Sequence, residues 1–294
     1  MIKRNVLNSP RLSELKKRRR RVFLNKALIY FCILSAALVL AVFLSRLSGL
    51  NIATIETEGN IIVDSESIRA VAVRETSGKY LWLFPKTNVL FYPKGTIKQK
   101  LGSEYPRLGE IDLSVKSDGV LFISVTEREP LYTWCGPARN ASHSDAGGDT
   151  QQEICYFMDK EGYIFDEAPY FSGDVYFKFY GASGVVPLYP KSSYFAREYF
   201  AGLLTMKDAV SEMGLEPVAF YLKEDGDAEL YLAGGKTQPK ILLRADVDME
   251  VLAQNLEVAL DTEPLKTRFQ KELSKLEYLD LRFENKVYSK FQTP

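Results

Sequence analysis

Hydrophobic and polar positions change their period along this chain, and each period predicts a different element. Residues 27–45, ALIYFCILSAALVLAVFLS, carry no charge and are bounded by Lys26 and Arg46. A helix rises about 1.5 Å per residue, so this run spans about 28 Å, close to the roughly 30 Å of bilayer hydrocarbon. One membrane crossing is predicted. Beyond it, Ile52 and residues 54–57 read as a short strand that stops at the turn pair Gly59-Asn60. Asp64 or Ser65 can cap a helix through which Ile68, Val71 and Ala72 recur at helical spacing. A second helix is expected over 96–104, with Ile97, Lys100 and Leu101 on successive turns and Pro106 ending it. Residues 108–115 and 120–126 read as strands joined at Ser117-Asp118-Gly119. Ile111, Leu113 and Val115 lie on one face and Asp112, Ser114 and Lys116 on the other, which predicts a sheet covered on one side only.

From Pro130 onward the pattern is mainly that of strands. They are expected over 154–158, 163–165, 175–180, 218–223, 228–232 and 240–243, with Gly162, Gly226 and Gly234-Gly235 at turns. Helices are expected over 193–213 and 248–260, the second burying Val251, Leu252, Asn255, Leu256 and Ala259. In residues 276–283, LEYLDLRF, Leu279, Leu281 and Phe283 alternate with Tyr278, Asp280 and Arg282, a half-buried strand whose first set should face the core. A turn at Glu284-Asn285 then returns the chain as a terminal strand over 286–291. The predicted class is α+β: one N-terminal transmembrane helix, a strand-helix-helix-strand-strand domain over 51–129, and a mainly β domain over 130–291 with an open sheet edge and flanking helices. The connection 78–93, GKYLWLFPKTNVLFYP, is rich in aromatics (Tyr80, Trp82, Phe84, Phe91 and Tyr92), a density that favours burial over exposure.

Charge gives this layout an orientation. Residues 1–26 hold ten Lys/Arg, six of them in the block 16–21, against the single acid Glu14. By the positive-inside rule this arm stays in the cytoplasm and the rest lies outside the inner membrane. Removing the arm from the totals of 38 and 38 leaves 28 basic and 37 acidic residues beyond it. The neutral overall charge therefore hides a dipolar chain. The long basic arm, the length of the apolar run and the lack of an A-x-A after it favour an uncleaved anchor over a signal peptide. Attraction to anionic lipid accounts for the basic block without any nucleic acid.

Little chemistry of the catalytic kind is visible. The single histidine, His143, lies in the turn-rich loop 136–152, and no CxxC or HExxH spacing offers a metal site. The S-x-x-K from Ser13 to Lys16 falls in the cytoplasmic arm, the wrong side for a penicillin-binding enzyme. Pairs such as Asp225/Asp227 and Asp246/Asp248 border turns and helix starts, where capping explains them. No cofactor is expected. Of the three cysteines, Cys32 is in the apolar run, whereas Cys135 and Cys155 flank the loop 136–152. In an oxidising compartment those two can close the base of the loop as a disulfide, the alternative being two unlinked thiols.

Several segments resemble the bacterial cell-division family FtsQ/DivIB. IATIETEGN at 52–60 is similar to the opening of that family's POTRA domain, and FISVTEREPLYTW at 122–134 to its exit. FMDKEGYIF at 157–165 and YLDLRF at 278–283 with its short final strand are similar to segments of the β domain that follows. Together with the basic block and membrane helix before them, these segments in order extend the resemblance over about residues 16–291. The connection 78–93 is longer and more aromatic than expected for that family. The resemblance implies a non-catalytic division scaffold in the cytoplasmic membrane at the septum, binding FtsB/FtsL-like single-pass proteins by strand addition at its last edge. Tyr278, Arg282, Val287, Tyr288 and Phe291 are the contact residues it implies, and the POTRA domain would recruit further division proteins. A membrane-anchored cell-wall enzyme or its accessory domain is the alternative from another class. An outer-membrane POTRA protein would need a β-barrel downstream, for which the strand pattern is insufficient.

Overall fold

The computed structural model describes residues 10–116, 118–137, 153–171, 175–182, 190–234, 238–283 and 286–292. His143, the turn at Glu284-Asn285 and most of the loop 136–152 lie outside the described residues. By contacts the chain divides into two compact units, residues 1–100 with 111–125 and residues 101–110 with 126–294. That division assigns 101–110 and 126–129 to the second unit, unlike the boundary at 129/130 expected from sequence. Ion pairs tie these residues to the rest of the second unit. Arg107 Nε lies 2.6 Å from Asp166 and Arg128 Nη1 lies 2.5 Å from Asp159, while the Arg128 N–H donates to the Arg107 carbonyl.

The first unit begins with helix α1 (Pro10–Ser45), which continues the apolar run back through the basic arm. Leu28, Ile29, Phe31, Leu34, Val39 and Phe43 on successive turns are all exposed. An apolar stretch exposed on every side is the kind that lipid solvates. This single helix is compatible with a membrane anchor.

Strand β1 (Thr54–Glu58) follows, and the chain reverses at Gly59, whose φ of 87° would strain any other residue and whose added Cβ would strike the Val125 carbonyl. Asn60 organises this corner by donating to the Val63 carbonyl at 2.7 Å. Asp64 then caps α2 (Ser65–Thr76), its carboxylate accepting the Ser67 N–H at 3.1 Å. Ile68, Val71 and Ala72 are buried, as their spacing predicts. In the connection, β2 (Lys79–Tyr80) and β3 (Phe84–Pro85) form a small hairpin that sequence reading missed. Helix α3 (Lys94–Glu104) starts two residues before its expected position and buries Ile97 and Leu101. Strands β4 (Leu108–Val115) and β5 (Val120–Glu127), of which 111–115 and 120–125 belong to this unit, form with β1 a sheet of order β1-β5-β4, with β1 parallel to β5.

In the second unit one mixed sheet runs through β6 (Tyr132–Trp134), β7 (Tyr156–Met158), β8 (Tyr163–Glu167), β9 (Phe177–Tyr180), β10 (Ser193–Tyr194), β11 (Pro217–Leu222), β12 (Asp227–Leu232), β13 (Lys240–Arg244), β14 (Leu276–Phe283) and β15 (Lys286–Phe291). Its order is β10-β8-β7-β6-β9-β11-β12-β13-β14-β15. Parallel neighbours need a long crossover, and helices supply two of them. Between β9 and β11 lies α4 (Phe200–Glu212); between β13 and β14 lie α5 (Met249–Leu260) and α6 (Leu265–Glu272). Leu203, Met206 and Val210 of α4 and Leu252 and Leu256 of α5 share one core with Phe179, Phe220, Leu230, Ile241, Leu279 and Leu281 of the sheet. Among the described residues, the helices cover one face.

Two expected helices are corrected in detail. The helix predicted from residue 193 starts at Phe200, because Ser193 and Tyr194 instead pair with Ile164 and Tyr163 and Ala196 takes a φ of 46°. Helix α5 buries Met249, Leu252, Ala253 and Leu256, leaving Val251 exposed, so its inward face is turned from the one predicted. Helix α6 was missed altogether. Its only apolar signal is Leu265 and Phe269, one turn apart, and both pack on the core.

Candidate partner-binding edge

Strand β15 ends the large sheet, so among the described residues nothing pairs with its outer side. An edge of this kind presents a row of N–H and C=O groups to any chain that can add a strand. Its side chains divide by the pleat. Phe291 is buried in the core under the Arg268 guanidinium, 4.3 Å from the ring centre, and Val287 packs against the same core. On the face away from the helices, Tyr288 stands half exposed opposite Asp280. Lys290 is opposite Tyr278 and reaches Glu277 at 2.7 Å, its Nζ lying 6.0 Å from the Tyr278 ring centre.

A second aromatic joins Tyr288 at this rim. Phe283, expected in the core, is instead 52% exposed and meets the Tyr288 ring edge-on at 5.3 Å. The cause is a register shift between Asp280 and Phe283, a bulge that turns the end of β14 over. No feature of LEYLDLRF signals that shift.

Arg282 is ion-paired within the chain. Its Nε and Nη2 donate to the two oxygens of Asp280 at 2.9 and 2.7 Å, while Nη1 reaches across β13 to Asp227 on β12 at 2.6 Å. Asp280 is 5% exposed. Burial pushes its carboxyl upward, but the guanidinium and the Arg282 backbone N–H outweigh burial and hold it below the usual carboxylate range. The same two carboxylates raise the Arg282 pKa above its ordinary value. Asp280 and Arg282, two residues apart, thus share one face and clamp β14 to β12 from within the chain. Of the five residues the resemblance implies, Tyr288 stands most openly on the rim, Tyr278 is partly covered by its neighbours, Val287 packs on the core, Phe291 is buried and Arg282 is ion-paired.

The uncovered face holds another polar hub that sequence reading passed over. Glu229 on β12 is 6% exposed and accepts from Lys223 at 2.8 Å, Lys240 at 2.9 Å and the Tyr231 hydroxyl at 2.5 Å. Burial alone would raise its pKa. The three donors prevail and lower it to about 2. Its only sequence signal is an acid flanked by apolar residues inside the strand DAELYL.

Cys135 and Cys155 are joined as a disulfide across the base of the loop 136–152. Glu153 lies beside them and is held by the Tyr180 hydroxyl at 3.2 Å and Lys178 at 3.7 Å. Two cysteines and a carboxylate this close make a candidate ligand set, yet with the sulfurs bonded neither offers the thiolate that a metal would need. The carboxylate pairs at turns have local work: Asp225 accepts the Asp227 N–H, Asp246 pairs with Arg244, and Asp248 caps α5.

No protein-family model matches this chain, and no curated protein sequence matches it.

Proposed function

We propose that this protein is a membrane-anchored, non-catalytic scaffold of the FtsQ/DivIB kind, cytoplasmic at its N-terminus and extracytoplasmic beyond α1. It supports septum formation by receiving an FtsB/FtsL-like single-pass partner on β15. The observation that carries this reading is the exposed β15 edge with the Tyr288–Phe283 aromatic pair on its rim. Strand addition supplies affinity through main-chain hydrogen bonds and specificity through side chains beside the edge, where half-exposed aromatics are effective anchors. Arg282 acts by fixing β14, so its contribution to the partner is through the shape of the edge. The strand-helix-helix-strand-strand order of the first unit, with the β2–β3 hairpin inserted, supports a POTRA-like module that recruits further division proteins.

The test is capture of the cognate FtsB-like subunit by full-length protein in detergent. Tyr288→Lys places a charge on the rim and should abolish capture while the unfolding transition stays in place. Undiminished capture by that variant overturns the assignment of β15.

A further inference from the structure

The connection between α2 and α3 leaves large apolar groups in solvent. Trp82 is 89% exposed, Leu81 84%, Leu90 74% and Phe91 53%. Leu81 and Trp82 also occupy left-handed conformations, φ 46° and 65°, at the tip of the β2–β3 hairpin, where the Leu83 N–H closes a turn on the Tyr80 carbonyl. Such a turn suits Asn-Gly, and a leucine and a tryptophan hold it only with backbone strain. The chain displays bulky apolar side chains where folding alone would select small polar ones.

This connection is fastened to the point where α1 ends. The Asn88 side chain, itself 1% exposed, donates to the Ser45 carbonyl at 3.0 Å, and Asn51 donates to the same carbonyl at 3.0 Å. These two bonds satisfy a helix-end acceptor that would otherwise be orphaned. The Val89 N–H donates to Leu50 and the Ile52 N–H to Thr87. Arg46, the first charge after the apolar run, places its Nη2 3.5 Å from the Leu83 carbonyl. Charge follows the same geography. From residue 77 to 95 there are three lysines, Lys79, Lys86 and Lys94, and no acid, although the chain beyond the anchor carries nine more acids than bases.

We infer that the β2–β3 hairpin tip and the Leu90-Phe91 turn insert into the interfacial layer of the bilayer that α1 crosses, a second attachment point for the first unit. This inference rests on the reading of α1 as a membrane anchor. Tryptophan favours the headgroup level, where its ring is half in hydrocarbon and its N–H stays wet, and lysines beside it meet lipid phosphate. A protein partner would have to match a strained apolar tip held at the membrane boundary, a demand that the bilayer meets without any further chain.

The test uses full-length protein in proteoliposomes. Trp82 and Trp134 are the two tryptophans of the chain, and Trp134 is buried, so subtracting the emission of Trp82→Phe from that of the wild type isolates Trp82. Lipids brominated near the headgroup should quench that difference about twofold, and the bilayer should shield it from aqueous iodide. Emission untouched by bromolipid and freely quenched by iodide would overturn the inference, as would shielding that requires an added protein. In the same vesicles Cys32, unpaired within α1, reports on the anchor. If Cys32 is protected from a water-soluble maleimide until detergent is added while Trp82 remains in water, the hairpin inference alone fails. Reaction of Cys32 in intact vesicles removes the anchor and the inference with it.

Discussion

Each unit holds a segment dense in aromatic residues, with opposite outcomes. In the second unit Phe179 is fully buried, with the rings of Tyr132, Phe177, Phe195, Phe200 and Phe220 between 5.1 and 6.0 Å from its own. In the first unit, the segment 80–92 is just as aromatic, yet within it Phe84 and Phe91 pair at 6.2 Å while Trp82 stands in solvent. Aromatic density therefore does not decide burial. Phe177 and Phe179 sit two apart on a strand, so both face a helix layer provided by α4, whereas YLWLF at 80–84 is continuous and wraps a hairpin too short to have an inside.

The strongest way to break this comparison is to truncate one member of each cluster. Phe179→Ala should cost about 4 kcal/mol through lost burial and the cavity left behind, read as a lowered denaturant midpoint. Trp82→Ser should leave that midpoint within about 0.5 kcal/mol of wild type, as expected of an exposed side chain. Equal losses would mean that the connection 78–93 is core after all. Next in size is the clamp on the second unit's loop. Cys135→Ser with Cys155→Ser removes a link across 20 residues and should cost about 3 kcal/mol on the loop-entropy account. A reductant should produce the same loss in the wild type and none in the double variant.

The uncovered sheet face yields a smaller, pH-dependent effect. Glu229 is held at about 2 in the folded protein against 4.5 for a free glutamate. Its contribution is therefore complete above pH 4.5 and is lost as pH falls toward 2. Glu229→Gln should be less stable than wild type at neutral pH and should flatten the fall in stability over that window. An unchanged slope would show that Glu229 titrates alike in the folded and unfolded chain. The smallest effect on folding belongs to Tyr288→Lys, within about 0.5 kcal/mol, so that any loss of partner capture by that variant reports on the surface alone.

Much of the architecture was legible because it depends on local period. The apolar run of α1, the Asp64 and Asp248 caps and the alternation through β4 and β5 follow from spacing that needs no distant neighbour. The candidate edge was legible only in part. LEYLDLRF announces a strand, but the same letters placed Phe283 inside and Arg282 on a surface open to partners. A bulge turned Phe283 outward, and an aspartate 55 residues away pairs with Arg282 without closing it off from that surface.

By itself, then, the chain determined what each short segment can become, since period, caps and turn residues act over one or two turns of backbone. Tertiary structure decided which faces are used. Whether an aromatic is core or surface, and whether an arginine is clamp or contact, depends on which segments arrive beside it, and that partner is chosen by packing across tens of residues. Phe179 and Trp82 are both aromatic residues in aromatic surroundings; only the helix layer over the first and the helix end beside the second separate their roles.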